Sequence, residues 1–236
     1  MADPHGASLA VTPGFESYLD RLPQDEYLQT HRRRYRETWR RMQDLTPGLR
    51  EVLELGALSP IGGYLRDCCG ARMETLETDL RYPYPLPDGS AELVLCLEVL
   101  EHLNDAHYPG ASIGEIAMFT HSGARNMFRE CRRILRPGGR LVLTTPNASS
   151  IDVLGNVLRR RHPFQYPPHV REYPPGEVMA LAQEAGFTTE RASTFFAWNS
   201  QPDIDRAGLM AALQELGFDM ADRGDDAFFV FRAAGE

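Results

Sequence analysis

The stretch Glu51–Leu58, EVLELGAL, contains an apolar run of the kind that forms a buried parallel strand, and it ends in a turn at Gly56. Two further stretches share this design, LVLCLEVLEHL at residues 93–103 and LRPGGRLVLTTPN at residues 135–147. In each, the apolar run leads into residues suited to contact with a ligand. Because ligands bind at the carboxyl ends of strands in an open α/β sheet, the three stretches predict one cleft at a shared sheet edge.

Strands and helices alternate along most of the chain. The predicted strands lie at about residues 51–55, 72–77, 93–97, 140–144, 188–197 and 227–232. The predicted helices lie at about residues 23–42, 61–69, 123–135, 177–185 and 205–216, with a short one near 153–160. This alternation predicts a mainly parallel α/β sheet, doubly wound, with helices on both faces.

Bulk composition excludes several classes of protein. The chain of 236 residues carries a net charge of -8, which argues against a nucleic-acid-binding surface. No apolar stretch reaches the length of a membrane span, and the first residues lack the pattern of a signal peptide. The four cysteines show no zinc-type spacing, and Cys96 and Cys131 fall in apolar patterns that indicate buried thiols. We therefore expect a cytoplasmic protein that binds a small molecule and neither nucleic acid nor a membrane. Whether the chain forms a homo-oligomer is left open.

The predicted N-terminal helix carries an aromatic stripe. Tyr27, His31, Tyr35 and Trp39 recur every four residues. The stripe either caps a ligand cleft or packs the helix onto the core. The basic run at residues 32–34 is predicted to be a solvated face, and residues 1–14, rich in Ala, Gly and Pro, are predicted to be loosely ordered.

The three stretches, in this order and at these spacings, resemble the core of the class I S-adenosylmethionine-dependent methyltransferases, in particular the type 11-like small-molecule methyltransferases. The resemblance spans about residues 51–232. It implies a Rossmann-like, doubly wound, mainly parallel seven-stranded sheet. From the aromatic helix and the two long loop regions we also expect an N-terminal helical cap at residues 1–45 and a methyltransferase domain at residues 46–236, with substrate-loop insertions near 104–122 and 147–171. Methyl transfer from S-adenosylmethionine, which leaves S-adenosylhomocysteine, is the implied activity.

The resemblance also assigns cofactor contacts. Glu54 and Gly56 match the acidic residue and the first glycine of the family's loop, whereas Leu58 and Pro60 replace its later glycines. Further cofactor contacts are expected at Ala57, Ser59, Leu97 and Glu98. An acidic residue about 20 positions after such a loop binds ribose hydroxyls, a role that suits Glu77. Asp79 competes with Glu77 for it, and either Asp79 or Leu80 takes the place of the family's adenine contact.

Histidines near the predicted cleft are the candidate catalytic bases. His102 follows the strand at residues 93–97, and His169 begins the segment HVREY, which resembles a His-x-Arg-Glu-Tyr segment of the family. A base is needed when the acceptor is a hydroxyl, and base catalysis contributes about 10²–10⁴-fold. Each histidine equally suits a purely structural bond to the backbone. The chemistry requires no metal, and none is expected, because solvation explains the carboxylates at residues 98, 101 and 105.

Acceptor recognition is expected in the two long loop regions, because functional residues concentrate in such loops. The candidate substrate-binding residues are His107, Tyr108, His121, Tyr166, Arg171 and Tyr173. The resemblance implies that the acceptor is a hydroxyl or amino group of a polar small molecule, such as a sugar or amino sugar in small-molecule biosynthesis. Alternative functions are a nicotinamide oxidoreductase, disfavoured by the missing glycines, a non-catalytic protein of the same fold, and a nucleic-acid or protein methyltransferase.

Overall fold

A computed structural model describes residues 13–105, 121–199 and 203–235 of the chain. Its strands are β1 Glu51–Leu55, β2 Arg72–Leu76, β3 Ala91–Leu97, β4 Leu135–Pro146, β5 Phe187–Phe195 and β6 Asp226–Ala233. Its helices are α1 Pro13–Arg21, α2 Glu26–Met42, α3 Pro60–Cys68, α4 Ser122–Ile134, α5 Ile151–Leu158, α6 Pro175–Glu184 and α7 Arg206–Glu215. Short 3-10 helices lie at Gln43–Leu45 and Leu100–His102.

The six strands form one sheet in the order β2-β1-β3-β4-β6-β5. The neighbours among β2, β1, β3 and β4 are parallel, whereas β6 is antiparallel to both β4 and β5. The carboxyl ends of β1, β3 and β4 therefore meet at one edge, as the three decisive stretches predicted. The Rossmann-like, mainly parallel class with helices on both faces is confirmed.

The expected seventh strand is absent from the described part of the chain, so the strand count was wrong. Only residues 77–90 separate β2 from β3, too few for the additional strand and helix. This segment contains three prolines, which cannot donate hydrogen bonds to a sheet. Instead, Leu80 and Tyr84 from this segment are buried in the core.

Alternating side chains of the strands enter two separate cores, one on each face of the sheet. On one face, the strands pack against Met127, Phe128 and Cys131 of α4 and against α6. On the other face, they pack against α1, α2 and α3, with Trp39 stacked on Phe15 at a ring-centroid distance of 4.9 Å. Burial on both faces explains why β1, β3 and β6 are apolar runs, whereas the edge strands β2 and β5 are more exposed and richer in polar residues.

The N-terminal helices differ from their predicted extent. A helix already begins at Pro13 within the segment expected to be loosely ordered, because Phe15 and Leu19 share a buried face and Phe15 packs against Trp39 of α2 and Tyr64 of α3. The next helix begins after Asp25, whose side chain accepts a hydrogen bond from the Leu28 amide at 2.7 Å. Across the described residues, no helix has the length and apolar character needed to cross a membrane.

Candidate functional site

A cavity of about 480 Å³ lies at the carboxyl ends of β1, β3 and β4, beneath α2. The sheet contributes Glu54, Leu97 and Thr144 to its walls, and the loop after β1 contributes residues 56–60. The opposite wall comes from α2 and the turn before it, including Tyr27, Arg34 and Tyr35. Along the aromatic stripe of α2, Trp39 packs into the core, Tyr27 lines the cavity, and Tyr35 does both.

The loop after β1 turns sharply at Gly56, where φ is +85°. Its amide donates a hydrogen bond to the Leu76 carbonyl at 3.0 Å, which fixes the turn to β2. A Cβ atom at residue 56 would make an ordinary van der Waals contact with Val99 Cγ2 at 3.8 Å, and both residues line the cavity. Glycine is therefore needed for its backbone conformation, and it lets a ligand approach the main chain closely.

Ser59 forms the N-cap of α3. Its Oγ accepts hydrogen bonds from the amides of Ile61 and Gly62, both at 3.2 Å, and these bonds do not use its hydroxyl proton. The N-terminus of α3 thus lies beside the cavity and supplies a positive partial charge that suits a carboxylate. Ala57 and Ser59 both line the cavity.

Glu54 supports this loop from beneath. Its side chain is buried, and its Oε2 accepts a hydrogen bond from the Ser59 amide at 3.1 Å. Residue 62 must be glycine for α3 to lie so close, because a Cβ there would clash with the same carboxylate oxygen. Burial raises the pKa of Glu54 to about 7, although the bond from Ser59 opposes this shift.

Glu98 lies at the end of β3 in a left-handed backbone conformation, with φ of 56°. Its amide donates a hydrogen bond to the Thr144 carbonyl at 3.1 Å, and its carboxylate accepts one from Arg34 Nη1 at 3.2 Å. Such backbone strain in a non-glycine residue is typical of functional sites. Arg34 is buried, so the prediction of a solvated basic face at residues 32–34 was wrong at this position.

The residues expected at the ribose and adenine lie farther from the cavity. Glu77 directly follows β2 and is exposed, and no hydrogen bond to its carboxylate is found among the described residues. Asp79 pairs with Arg81 at 2.7 Å, and Leu80 is buried in the core. Of these three, only Glu77 combines an unengaged carboxylate with a place at the carboxyl end of a strand.

The two candidate bases come together although they are far apart in the sequence. The rings of His102 and His169 lie 5.0 Å apart and perpendicular to each other, and the Tyr166 ring lies 5.2 Å from that of His169. His102 belongs to the 3-10 helix Leu100–His102, which begins two residues after the cavity-lining Glu98. Burial and the neighbouring His169 lower the pKa of His102, and the charge of Glu98 opposes this shift.

Three of the predicted substrate residues form a separate group around Glu177. His121 Nε2 and Arg171 Nη2 each lie 2.6 Å from Glu177 Oε1. The Arg171 guanidinium also lies over the ring of the buried Tyr173, at 5.2 Å from its centroid. The remaining two candidates, His107 and Tyr108, lie outside the described residues.

Sequence reasoning missed several polar groups near the cavity. Asp226, the first residue of β6, is buried, and neither carboxylate oxygen has a hydrogen-bond partner among the described residues. Burial, followed by the charge of Glu98, holds its pKa well above the usual range. Arg34 was also missed, although it follows His31 by three positions and Tyr27 by seven, which places it on the aromatic stripe.

His31 has an aromatic environment. Its ring lies 4.1 Å from that of Tyr27 and 4.9 Å from that of Trp198, measured between centroids. Burial, with a smaller effect of the Arg34 charge, lowers the pKa of His31 to about 4. Its surroundings on this side of α2 therefore favour the neutral form of the ring.

Comparisons with known proteins agree with this geometry. A family model described as "Methyltransferase domain" matches residues 27–192. A "probable S-adenosylmethionine-dependent methyltransferase" of Mycolicibacterium smegmatis is 29% identical over 225 residues, which cover 87% of this chain and 77% of that protein. A second protein with this description, from Mycobacterium tuberculosis, is 29% identical over 175 residues. That match covers 66% of this chain and 55% of the relative, so the chain spans about half the length of the second protein.

A solved structure shows the same fold at low sequence identity. The crystal structure of an S-adenosylmethionine-dependent methyltransferase from Archaeoglobus fulgidus superimposes with a TM-score of 0.58. The two chains are 15% identical, and the match covers 88% of this chain and all of the other. At this identity the likeness supports the fold alone.

Proposed function

The chain belongs to the methyltransferase-domain family and uses S-adenosylmethionine, and on that premise we propose that it methylates a hydroxyl or amino group of a polar small molecule, such as a sugar or amino sugar of a specialised metabolite. The observation that carries this proposal is the position of the His102–His169 pair. His102 follows the cavity-lining Glu98 by four residues and brings His169 to the same sheet edge.

The residues around the cavity fit the cofactor. A volume of about 480 Å³ is within the range of small-molecule sites. Gly56 and the N-terminus of α3 suit the amino-acid end of the cofactor, because a close backbone and a positive helix end favour a carboxylate. Ile61, Leu97 and Val99 supply apolar surface, and Glu77 is the candidate partner of the ribose hydroxyls.

S-adenosylmethionine, when bound, supplies a methyl group on a positively charged sulfur that needs no further activation. The protein's main task is therefore to hold the acceptor in line and to exclude water. Arg34, Tyr27 and Tyr35 of α2 close the cavity from above, which supports the assignment of residues 1–45 as a cap. The net charge of -8 favours a neutral or cationic acceptor over an anionic one.

A hydroxyl acceptor must also lose its proton. His102 is half-exposed, and its pKa is lowered, so an unprotonated imidazole is available near pH 7. His169 is largely buried and bonded to Glu172, which suits a positioning role or a second base. An amine acceptor needs only a neutral nitrogen, so the same site serves both chemistries with different dependence on the histidines.

Binding of the cofactor product is the first experiment. We expect S-adenosylhomocysteine to bind with micromolar affinity in a calorimetric titration, whereas NAD gives no heat of binding. Binding of NAD alone would overturn the proposal in favour of a nicotinamide-binding protein. Absence of both signals would favour a non-catalytic protein of the same fold.

Acceptor screening follows with the methyl-transfer assay. Neutral sugars and amino sugars are compared with nucleic acid and a basic protein as acceptors. Transfer to a sugar hydroxyl or amine supports the proposed class, whereas transfer only to nucleic acid or to the protein would reject it.

A further inference from the structure

Three side chains beside the cavity form a cluster with metal-ligand chemistry. Glu101, His102 and His169 each offer one ligand atom, and these atoms lie within 4.8 Å of one another. Two imidazoles and one carboxylate are a donor set used by divalent transition metals. The two histidines come from different parts of the chain, so the fold and not a local turn creates this cluster.

His169 is held in a ligand-ready orientation. Its Nδ1 lies 2.8 Å from Glu172 Oε1, and the Glu172 side chain is fully buried. That oxygen also accepts a hydrogen bond from the Gln165 amide at 2.7 Å. Because a carboxylate that accepts such bonds requires the ring proton on Nδ1, the lone pair of His169 is on Nε2. A carboxylate behind a histidine is the usual outer partner of a metal-bound imidazole.

The surroundings of Glu101 are an independent indication of a bound cation. Its side chain is 1% exposed, and its Oε2 accepts a hydrogen bond from the Thr145 hydroxyl at 2.9 Å. Its Oε1, in contrast, has no hydrogen-bond partner among the described residues, although it lies 3.8 Å from His102 Nε2. A buried carboxylate oxygen without a partner is costly, and a bound cation would remove that cost.

We propose that Glu101, His102 and His169 bind a divalent transition-metal cation, such as Zn²⁺, Mn²⁺ or Co²⁺. The ligand atoms need to move inward by about 1 Å to reach metal–ligand distances of about 2.0–2.2 Å, which the exposed ring of His102 permits. Glu98 adds negative charge, since its carboxylate interacts electrostatically with both Glu101 and His102. This proposal differs from the expectation, drawn from the sequence, that the protein binds no metal.

Three protein ligands leave coordination positions for water and for the acceptor. This role rests on the proposed function, and it places the acceptor hydroxyl on the cation. A bound cation lowers the pKa of an oxygen ligand, so the hydroxyl proton passes to bulk water near neutral pH. The acceptor oxygen then bonds to the methyl carbon, while the carbon–sulfur bond breaks and its electron pair stays on sulfur. The two imidazoles are then ligands and not free bases.

Direct metal binding tests the proposal. Tag-free protein is treated with a chelator, desalted, and titrated with Co²⁺ and Zn²⁺ by visible absorption and calorimetry. We expect one cation per chain, with a Co²⁺ absorption band that Zn²⁺ displaces. H169Q and E101Q should each weaken Co²⁺ binding at least tenfold.

The matched control is H162Q, because His162 is an exposed histidine in the same segment, and its affinity for Co²⁺ should be unchanged. Circular dichroism checks the folding of each variant, and H102Q is an additional test on an exposed side chain. The proposal is overturned if no cation binds, or if H102Q and H169Q bind Co²⁺ as tightly as the unaltered protein.

The metal site and the proposed function fail separately. Titration with S-adenosylhomocysteine is repeated on every variant. Because the three residues of the cluster do not line the cavity, each variant should bind S-adenosylhomocysteine as tightly as the unaltered protein does. If the protein binds no Co²⁺ and transfers methyl groups at the full rate in the presence of a chelator, the proposed metal site is rejected and the methyltransferase activity stands. If the protein binds Co²⁺ tightly but transfers no methyl group to any hydroxyl or amine, the metal site is supported and the proposed acceptor class is rejected.

Discussion

The guanidinium of Arg34 donates a hydrogen bond to the Glu98 carboxylate at 3.2 Å and thereby joins α2 to the end of β3. Both side chains are largely buried, at 9% and 13% exposure. Arg34 also lies over the Trp198 ring, at 5.8 Å from its centroid. One ion pair thus links the helix that covers the cavity to the strand that forms its floor.

Loss of this ion pair should destabilise the protein. The substitution R34M retains most of the side-chain volume but leaves the Glu98 carboxylate buried without its cation. Removal of one partner of a buried pair costs about 3–5 kcal/mol, so we expect the free energy of unfolding to fall by about 3 kcal/mol. Urea denaturation measures this change. R33M is the control, since Arg33 is exposed on the same helix, and its stability should be nearly unchanged. Equal stability of the two variants would show that the pair contributes nothing.

A side chain at residue 56 should weaken cofactor binding, in addition to straining the backbone. Both Gly56 and Gly70 have a positive φ, at 85° and 74°, so alanine costs about 1–2 kcal/mol at either position. Only the methyl group at residue 56 lies beside the cavity. We therefore expect G56A to weaken S-adenosylhomocysteine binding at least tenfold, or about 1.4 kcal/mol, in calorimetry. G70A should lose similar stability but bind normally. Equal affinities would argue that the cofactor does not approach the main chain at Gly56.

Glu54 should make stability depend on pH. Its pKa is about 7 in the folded protein against 4.5 ordinarily, because burial disfavours the charged form. A group with a raised folded pKa contributes stability that is present below pH 4.5 and is lost as the pH rises through 7. The variant E54Q has no such proton and can still accept the bond from Ser59 through its amide oxygen.

The comparison of E54Q with the unaltered protein isolates this effect. The difference between the free energies of unfolding, E54Q minus unaltered protein, should increase by up to about 3 kcal/mol from pH 5 to pH 8. Urea denaturation at the two pH values measures the difference. E215Q, at an exposed position near the end of α7, should show no such change. A pH-independent difference for E54Q would contradict the assigned pKa.

The sequence predicted the parts of the fold that local patterns encode. Apolar runs identified β1, β3 and β4, and the rule on strand ends placed the cavity beside Gly56 and Glu98. The helix Pro13–Arg21 was missed because it is short and begins with Pro-Gly, a pattern typical of loops. Tertiary packing of Phe15 stabilises it, and no local signal reports that packing.

The parts of the site that depend on long-range contacts were not predictable. Arg34 was taken as solvated because its partner Glu98 lies on another element, and no sequence pattern joins the two residues. His102 and His169 were each recognisable after a strand or in a motif, but their closeness follows from the fold. The strand count was taken from the family, whereas the short, proline-rich segment at residues 77–90 already argued for fewer strands.

Glu77 should bind the ribose hydroxyls of the cofactor. It directly follows β2, which pairs with β1, the strand that Gly56 follows, and its side chain is exposed. A carboxylate that accepts hydrogen bonds from both hydroxyls contributes about 1.5–3 kcal/mol, so E77A should weaken S-adenosylhomocysteine binding about tenfold or more. E74A is the matched control, because Glu74 is an exposed glutamate on β2, the strand that Glu77 follows. Calorimetry with both variants decides the assignment. If E77A binds like E74A, the ribose partner is another residue, and Asp79 is then the next candidate, since release from Arg81 would free its carboxylate.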